Sequence, residues 1–593
     1  MFYLFHWFRS FLPLHNPIGF GAADFIELAF GAALVAAALS WKRWNAAFGR
    51  FAHRERWVMA VLFVAPIALR VALWPLHPEP TPLGSDDFSY LLLGDTLAHF
   101  RLANPPHPLH KFFETIFVLQ EPSYSSIYPL GPAFALALGK LMFGHPWAGV
   151  AISIGIFCAL CYWMLLAWTT PEWALVGGLL AVIEFGPLNH WMNSFWGGGV
   201  AAIAGCMIFG AAPRLREHWR ARDAAILGLG VGLAFLARPY ESLFLSAAVT
   251  LYFIPVLFGM ERRRIARAAV IAVAGVAPAV ALALLDNKSV TGEWTKMPYM
   301  LSREQYGVPA SFTTQPNPVP RRALTHEQEL VWRGQAWVHG DRVDSPRTWL
   351  ARLPTRIRFY RFFLLTPLYL ALPFFLLALG GWRFQWVVIT IALVAIGSNF
   401  YVYFFPHYIA AEACLMVLIA IVALERMSRM RADAARLIVF LCIAHFAFWY
   451  GIHASANPEI ESALWRYETW DTINGGDPDG RIAINRELAM QPGKQLVFVR
   501  YGPQHVFTEW VYNSADIDAQ RVVWARDLGA ENEEIERYYP DRKVWLLEAD
   551  AVPVKLAPYA AESAPAPTAD QTPAPNPSRK GKSKIHLKFE NVK

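Results

Sequence analysis

The chain has 593 residues, 55% of them hydrophobic and 17% charged, with 24 Trp and 41 Phe; this excludes an ordinary soluble domain and points to a polytopic membrane protein. The formal net charge of +7 comes from short basic runs between apolar segments. That excess reads as topology, and no basic surface interleaved with aromatics offers itself to nucleic acid.

In chain order, the N-terminal MFYLFHWFRSFLPLHNP has neither a basic n-region nor a small-residue cleavage site, so the first true helix is expected to serve as a membrane anchor. Hydropathy marks twelve spans, at 22–41, 57–76, 147–169, 174–188, 194–212, 223–238, 240–259, 266–285, 361–380, 383–402, 406–425 and 434–451. The basic clusters WKRWNAAFGRFAHRER, RLREHWRAR, ERRRIAR and ERMSRMRADAAR all fall on the cytoplasmic side if 128–144 does not cross. That segment is therefore expected to lie in, or dip into, the outer leaflet. The outer face then carries loops at 77–146 and 286–360 and everything after 451.

Beyond the last span the pattern changes. KQLVFVRY, RVVWARD and KVWLLEAD read as short strands, with ENEEIERYY a helix between the last two. A soluble outer-face α/β domain is expected over 452–560, and a disordered tail rich in Pro, Ala and Ser over 561–593. All five Cys fall in apolar stretches, so no disulfide framework is suggested. Cys158 and Cys161, without partner ligands, read as helix packing.

Chemistry concentrates at the outer face. Asp86 and Asp87 follow the second span, and Asp95, Arg101, His107, His110, Lys111, Glu114, Glu121 and Tyr124 come within about forty residues of them. Carboxylates at such an interface are partly desolvated, which raises their basicity and suits general-base work. A divalent cation, if one takes part, would be held by Asp86 and Asp87, but one pair is few ligands for a metal. Other helices bring His190, Trp191, Asn193 and Trp196, then Arg238 and Glu241, then Arg356, Arg358 and Arg361, and finally His407 and Tyr408 to the same side. Arginine presents a fork of donors to phosphate oxygens, so a cationic mouth there suits a lipid-linked phosphate or diphosphate.

The acidic pair followed by FSYLLLGDTLAHFRLANPPHP, then YPLGPAFALALGKLMFG, LARPYESLFL and FPHYIAAEACLMVLIA, resembles the membrane glycosyltransferases of the GT-C superfamily. Within it the pattern is similar to bacterial proteins with an RgtA/B/C/D-like, or dolichyl-phosphate-mannose protein mannosyltransferase-like, domain. The resemblance covers about 57–425 and implies a GT-C-like transmembrane domain over 1–451. It further implies a polyprenyl-phosphate-sugar donor and inverting hexosyl or pentosyl transfer at the outer face of a bacterial inner membrane.

By that resemblance Asp86, then Asp87, is the essential acid of the first outer loop. The family's Arg-Pro helix falls on Arg238 and Pro239, and the later Arg-Tyr pair appears as His407 and Tyr408. Donor phosphate would meet Arg238, Arg358, Arg361, His407 and Tyr408; sugar or acceptor would meet Glu114, Glu121, Tyr124, His190, Trp191 and Trp196. No tightly bound organic cofactor is expected, and the partners are the lipid-linked donor, membrane lipid and an envelope glycan, lipid or protein acceptor. The alternative is a flippase of a lipid-linked sugar, which would need polar residues through the bilayer midplane; here they gather at loops and helix ends.

Overall fold

The computed structural model describes residues 44–82, 84–257, 261–340, 342–455, 480–502, 505 and 509–559. The expected span at 22–41, the segment 456–479 and the tail at 561–593 lie outside the described residues. Among the described residues five helices are long and apolar enough to cross a membrane: Pro146–Leu165, Pro239–Val256, Arg262–Thr291, Pro406–Met430 and Ala432–Ser455. The expected spans at 57–76, 174–188, 194–212, 223–238 and 383–402 correspond to the helices Glu55–Ala72, Pro171–Phe185, Gly199–His218, Ala221–Ala237 and Trp382–Ser398. The protein is a polytopic helical membrane protein with a small α/β sheet at its C-terminal end.

One expected span takes a different form. The stretch 361–380 is a chain of 3-10 turns, Tyr360–Phe363, Thr366–Leu370 and Leu372–Ala378, rather than one α-helix. Pro367 and Pro373 explain it: each lacks the N–H that an α-helix would use and crowds the carbonyl of the preceding turn. The segment 128–144 contains the helix Leu130–Phe143, which begins after Pro129 and ends at Gly144, in the left-handed conformation with φ 76°.

Two glycines bring three elements to one place. A Cβ at Gly94 would stand 2.7 Å from that of Leu136, so the helix Ser85–Ala98, here the acid helix, lies directly against Leu130–Phe143. A Cβ at Gly131 would stand 2.8 Å from the backbone of Ala237, which seats the start of Leu130–Phe143 on the end of the helix that leads to Arg238. Close approach of this kind requires the missing side chain.

The C-terminal sheet has the order Val522–Arg526, Lys494–Arg500, Arg542–Glu548, Lys555–Pro558, the first three strands parallel and the last antiparallel. The fourth strand is an addition to the three expected. Leu496 to Val499 are buried without alternation, because a central parallel strand is covered on both faces. One of those covers is the loop at 77–146: Phe112, Phe113, Val118 and Tyr124 share a cluster with Leu496, Phe498, Ile517 and Val523.

Candidate active site

Asp86 and Asp87 occupy the first turn of the acid helix, after the extended Gly84, where unpaired backbone N–H groups and the helix dipole favour negative charge. One residue apart on a helix, they point in different directions and meet different partners. Asp87 is buried, and its Oδ1 accepts the backbone N–H of Phe195 at 2.8 Å, fastening the acid helix to the turn that bears His190 and Trp196. Asp86 is half-buried and accepts a hydrogen bond from the Tyr128 hydroxyl at Oδ1. Burial pushes the Asp86 carboxyl above the usual carboxylate range, while the Tyr128 hydrogen bond and the nearby Arg238 pull against that rise.

Arg238 stands where the residue before a proline must stand. Pro239 disfavours the helical conformation for it, and Arg238 ends the helix Ala221–Ala237 with φ −148° and ψ 82° while Pro239 starts the next helix. The guanidinium lies 4.1 Å from the ring centre of Tyr408, a cation–π contact, with Tyr90, Tyr299 and Glu241 close by. Tyr90 stacks on Tyr128 at 4.3 Å, so the tyrosine that holds Asp86 is itself braced. The result is a mouth in which Asp86 and Glu241 lie near Arg238 among tyrosines.

The second wall is aromatic and uncharged. Trp196 is held edge-on by His190, at 4.8 Å, and His407, at 4.6 Å. Burial pushes the His190 imidazole down to about 4, so it stays neutral at neutral pH. Among the described residues no three His, Cys, Asp or Glu side chains come together in a way that would hold a metal ion.

No family model and no curated protein matches the chain. Among solved structures it is similar to ArnT from Cupriavidus metallidurans bound to undecaprenyl phosphate, at 12% identity and a TM-score of 0.45, over 82% of this chain and 92% of that one. It is also similar to the archaeal oligosaccharyltransferase AglB from Archaeoglobus fulgidus in complex with an inhibitory peptide and a dolichol-phosphate. That second likeness has 13% identity and a TM-score of 0.40, over 83% of this chain and 69% of that one. Likeness at this level carries no argument about the chemistry, which rests on the residues themselves.

Several residues singled out in the sequence take other places. Glu114 is buried and fully engaged: Oε1 accepts from Arg322 at 2.5 Å, and Oε2 accepts from Tyr306 and Gln328, each at 3.1 Å. Glu121 lies on the exposed side of the same joint, 3.9 Å from His110 and Arg322. Tyr124 donates its hydroxyl to the Asn513 carbonyl at 3.0 Å, tying the loop at 77–146 to the C-terminal domain. Trp191 is 1% exposed and packs among Phe185, Phe362 and Phe363, so it belongs to the helix core. Arg361 lies beside Arg358 and Tyr369. From that stretch it is Arg356 that reaches the mouth, close to Tyr408, with its guanidinium 4.7 Å from the Phe404 ring and donating to the Val402 carbonyl at 2.9 Å.

Tyr90, Tyr128, Tyr299 and Arg303 are the members of the mouth that sequence reasoning passes over. Tyr90 was findable, since it follows Asp86 by four residues and so shares its face of the helix. Tyr299 and Arg303 have the same spacing on the helix Pro298–Tyr306, and both lie close to Tyr401. Nothing local marks Tyr128, whose partner is 42 residues away.

Proposed function

We propose that the protein transfers a glycosyl group from a polyprenyl-phosphate sugar to an acceptor hydroxyl or amine at the outer, periplasmic face of a bacterial inner membrane. The observation that carries this reading is the facing pair of Asp86 and Arg238 at the junction of helix ends and outer loops. The resemblance of the sequence to GT-C glycosyltransferases supports the same reading.

Asp86 takes the proton of the acceptor as the acceptor atom bonds to the anomeric carbon. The bond from that carbon to the phosphate oxygen breaks, and its electron pair leaves with the lipid phosphate. Negative charge then grows on the phosphate, where Arg238 can answer it, supported by Arg356 and the tyrosine hydroxyls. Attack from the acceptor side, opposite the phosphate, inverts the anomeric centre. A carboxyl that burial raises above its usual range is a stronger base whenever it is ionised. Trp196, with His190 and His407 behind it, forms the wall against which a sugar ring stacks. Asp87, committed to Phe195, holds the acid helix in place.

The test uses the purified protein in lipid, incubated with a panel of polyprenyl-phosphate sugars while release of free lipid phosphate is followed, with Asp86→Asn beside the wild type. Release by the wild type alone supports the transferase and names its sugar. Binding of a lipid-linked sugar without release from any donor overturns the reading in favour of a flippase.

A further inference from the structure

The acid helix is gripped from outside the membrane domain. Residues 509–515 of the C-terminal domain run as a buried, irregular segment between the sheet and that helix, and every residue of the run except the half-buried Ser514 is buried. Near the helix start, the Tyr512 ring stacks on Phe88 with centroids 4.4 Å apart and planes 6° from parallel; Phe88 is adjacent to Asp87 and two residues from Asp86. Near the helix end, Asp95 accepts the backbone N–H of Ala515 at 2.8 Å and a hydrogen bond from Lys140. Seven residues separate these two grips, about 10 Å along a helix. Two grips that far apart fix its direction as well as its position.

The segment is rigid because its own backbone is held on the far side. Arg481 donates to the Glu509 and Trp510 carbonyls at 3.2 and 2.7 Å while its guanidinium covers Phe88 at 4.3 Å. The Asn513 side chain donates to the Trp524 carbonyl at 2.8 Å and accepts the Trp524 N–H at 3.0 Å, in the manner of a further strand. The Tyr512 hydroxyl donates to the Ile116 carbonyl at 3.1 Å. An irregular segment survives burial only when its polar groups are satisfied in this way.

We infer that residues 509–515 are a positioning strap for the catalytic carboxylate, with Tyr512 its principal contact, so that the C-terminal domain sets the geometry of transfer. This rests on the reading of Asp86 as the base. Tyr512 is a positioning residue; it acts on Asp86 through Phe88 and the helix.

The experiment uses the full chain in lipid with Tyr512→Ala and Tyr512→Phe, measuring transfer and hydrogen exchange of the 85–98 amides. Tyr512→Ala is expected to lower kcat by roughly 10- to 100-fold, the scale of an ångström's misplacement, and to leave the donor KM within about threefold. Tyr512→Phe keeps the stack and stays within about threefold of the wild type. Exchange in 85–98 should quicken in the Ala variant alone, with the strand Lys494–Arg500 as protected as before. Wild-type kcat and exchange in Tyr512→Ala overturn the strap, as do equal losses in both variants accompanied by loosening of the sheet. A wild type that transfers from no donor defeats the functional reading instead, while the exchange contrast still decides whether the strap holds the helix.

Discussion

Asp86 and Glu114 belong to the same stretch, 77–146, and each is withdrawn from water with a tyrosine hydroxyl bonded to it and an arginine close by. Their situations differ in how much of each carboxylate the protein itself uses. Both oxygens of Glu114 are taken, by Arg322, Tyr306 and Gln328, and the group joins the loops at 77–146 and 286–360. Asp86 spends Oδ1 on Tyr128, and Arg238 places its guanidinium over Tyr408. A satisfied buried ion pair is a joint, whereas the side chains of Asp86 and Arg238 each contact a tyrosine rather than one another.

The contrast can be broken most sharply at Asp86. Asp86→Asn should reduce transfer by about 10²- to 10⁴-fold, the usual worth of a general base, with the thermal midpoint near that of the wild type; an active, well-folded Asn variant would sink the assignment. Arg238→Gln should cost roughly 10²- to 10³-fold in kcat, by loss of leaving-group stabilisation, and a fall in donor affinity alone would recast Arg238 as a binding group. Glu114→Gln should do the reverse, costing roughly 1–3 kcal/mol of stability by leaving Arg322 poorly paired, measured by denaturant midpoint in detergent, with kcat per folded molecule preserved.

The smallest effect sharpens the electrostatics. Asp86 works as a base only when ionised, so activity is present above its pKa and lost as pH falls through it. The Tyr128 hydrogen bond favours the ionised form. Tyr128→Phe should therefore move the acid limb of the kcat/KM profile to higher pH, with at most a modest loss on the plateau. A limb that stays in place would mean that Tyr128 does not tune the base.

Much of the architecture was legible beforehand, for reasons that can be named residue by residue. The apolar runs at 147–169 and 406–425 are long enough to cross a bilayer whatever they pack against. The conformation of Arg238 follows from Pro239, and the strand Lys494–Arg500 follows from its β-branched and aromatic run. The failures were of another sort. In the sequence the hydropathy of 361–380 outweighs Pro367 and Pro373, so a segment broken into three short turns has the pattern of one helix. Glu114, Tyr124 and Trp191 have the residue types of a sugar site, and only their partners, Arg322, Asn513 and Phe362, reveal them as joints and core.

The sequence by itself determined which segments leave water, where the basic runs lie, and which helix ends bring Asp86, Arg238 and Tyr408 to one side, because each is set by local composition and backbone sterics. Tertiary structure alone decided that Glu114 is taken up at both oxygens, that Tyr128 braces Asp86, and that a domain more than four hundred residues away in the chain grips the helix that carries Asp86. Periodicity tells a chain which face to bury, and says nothing of what that face will meet.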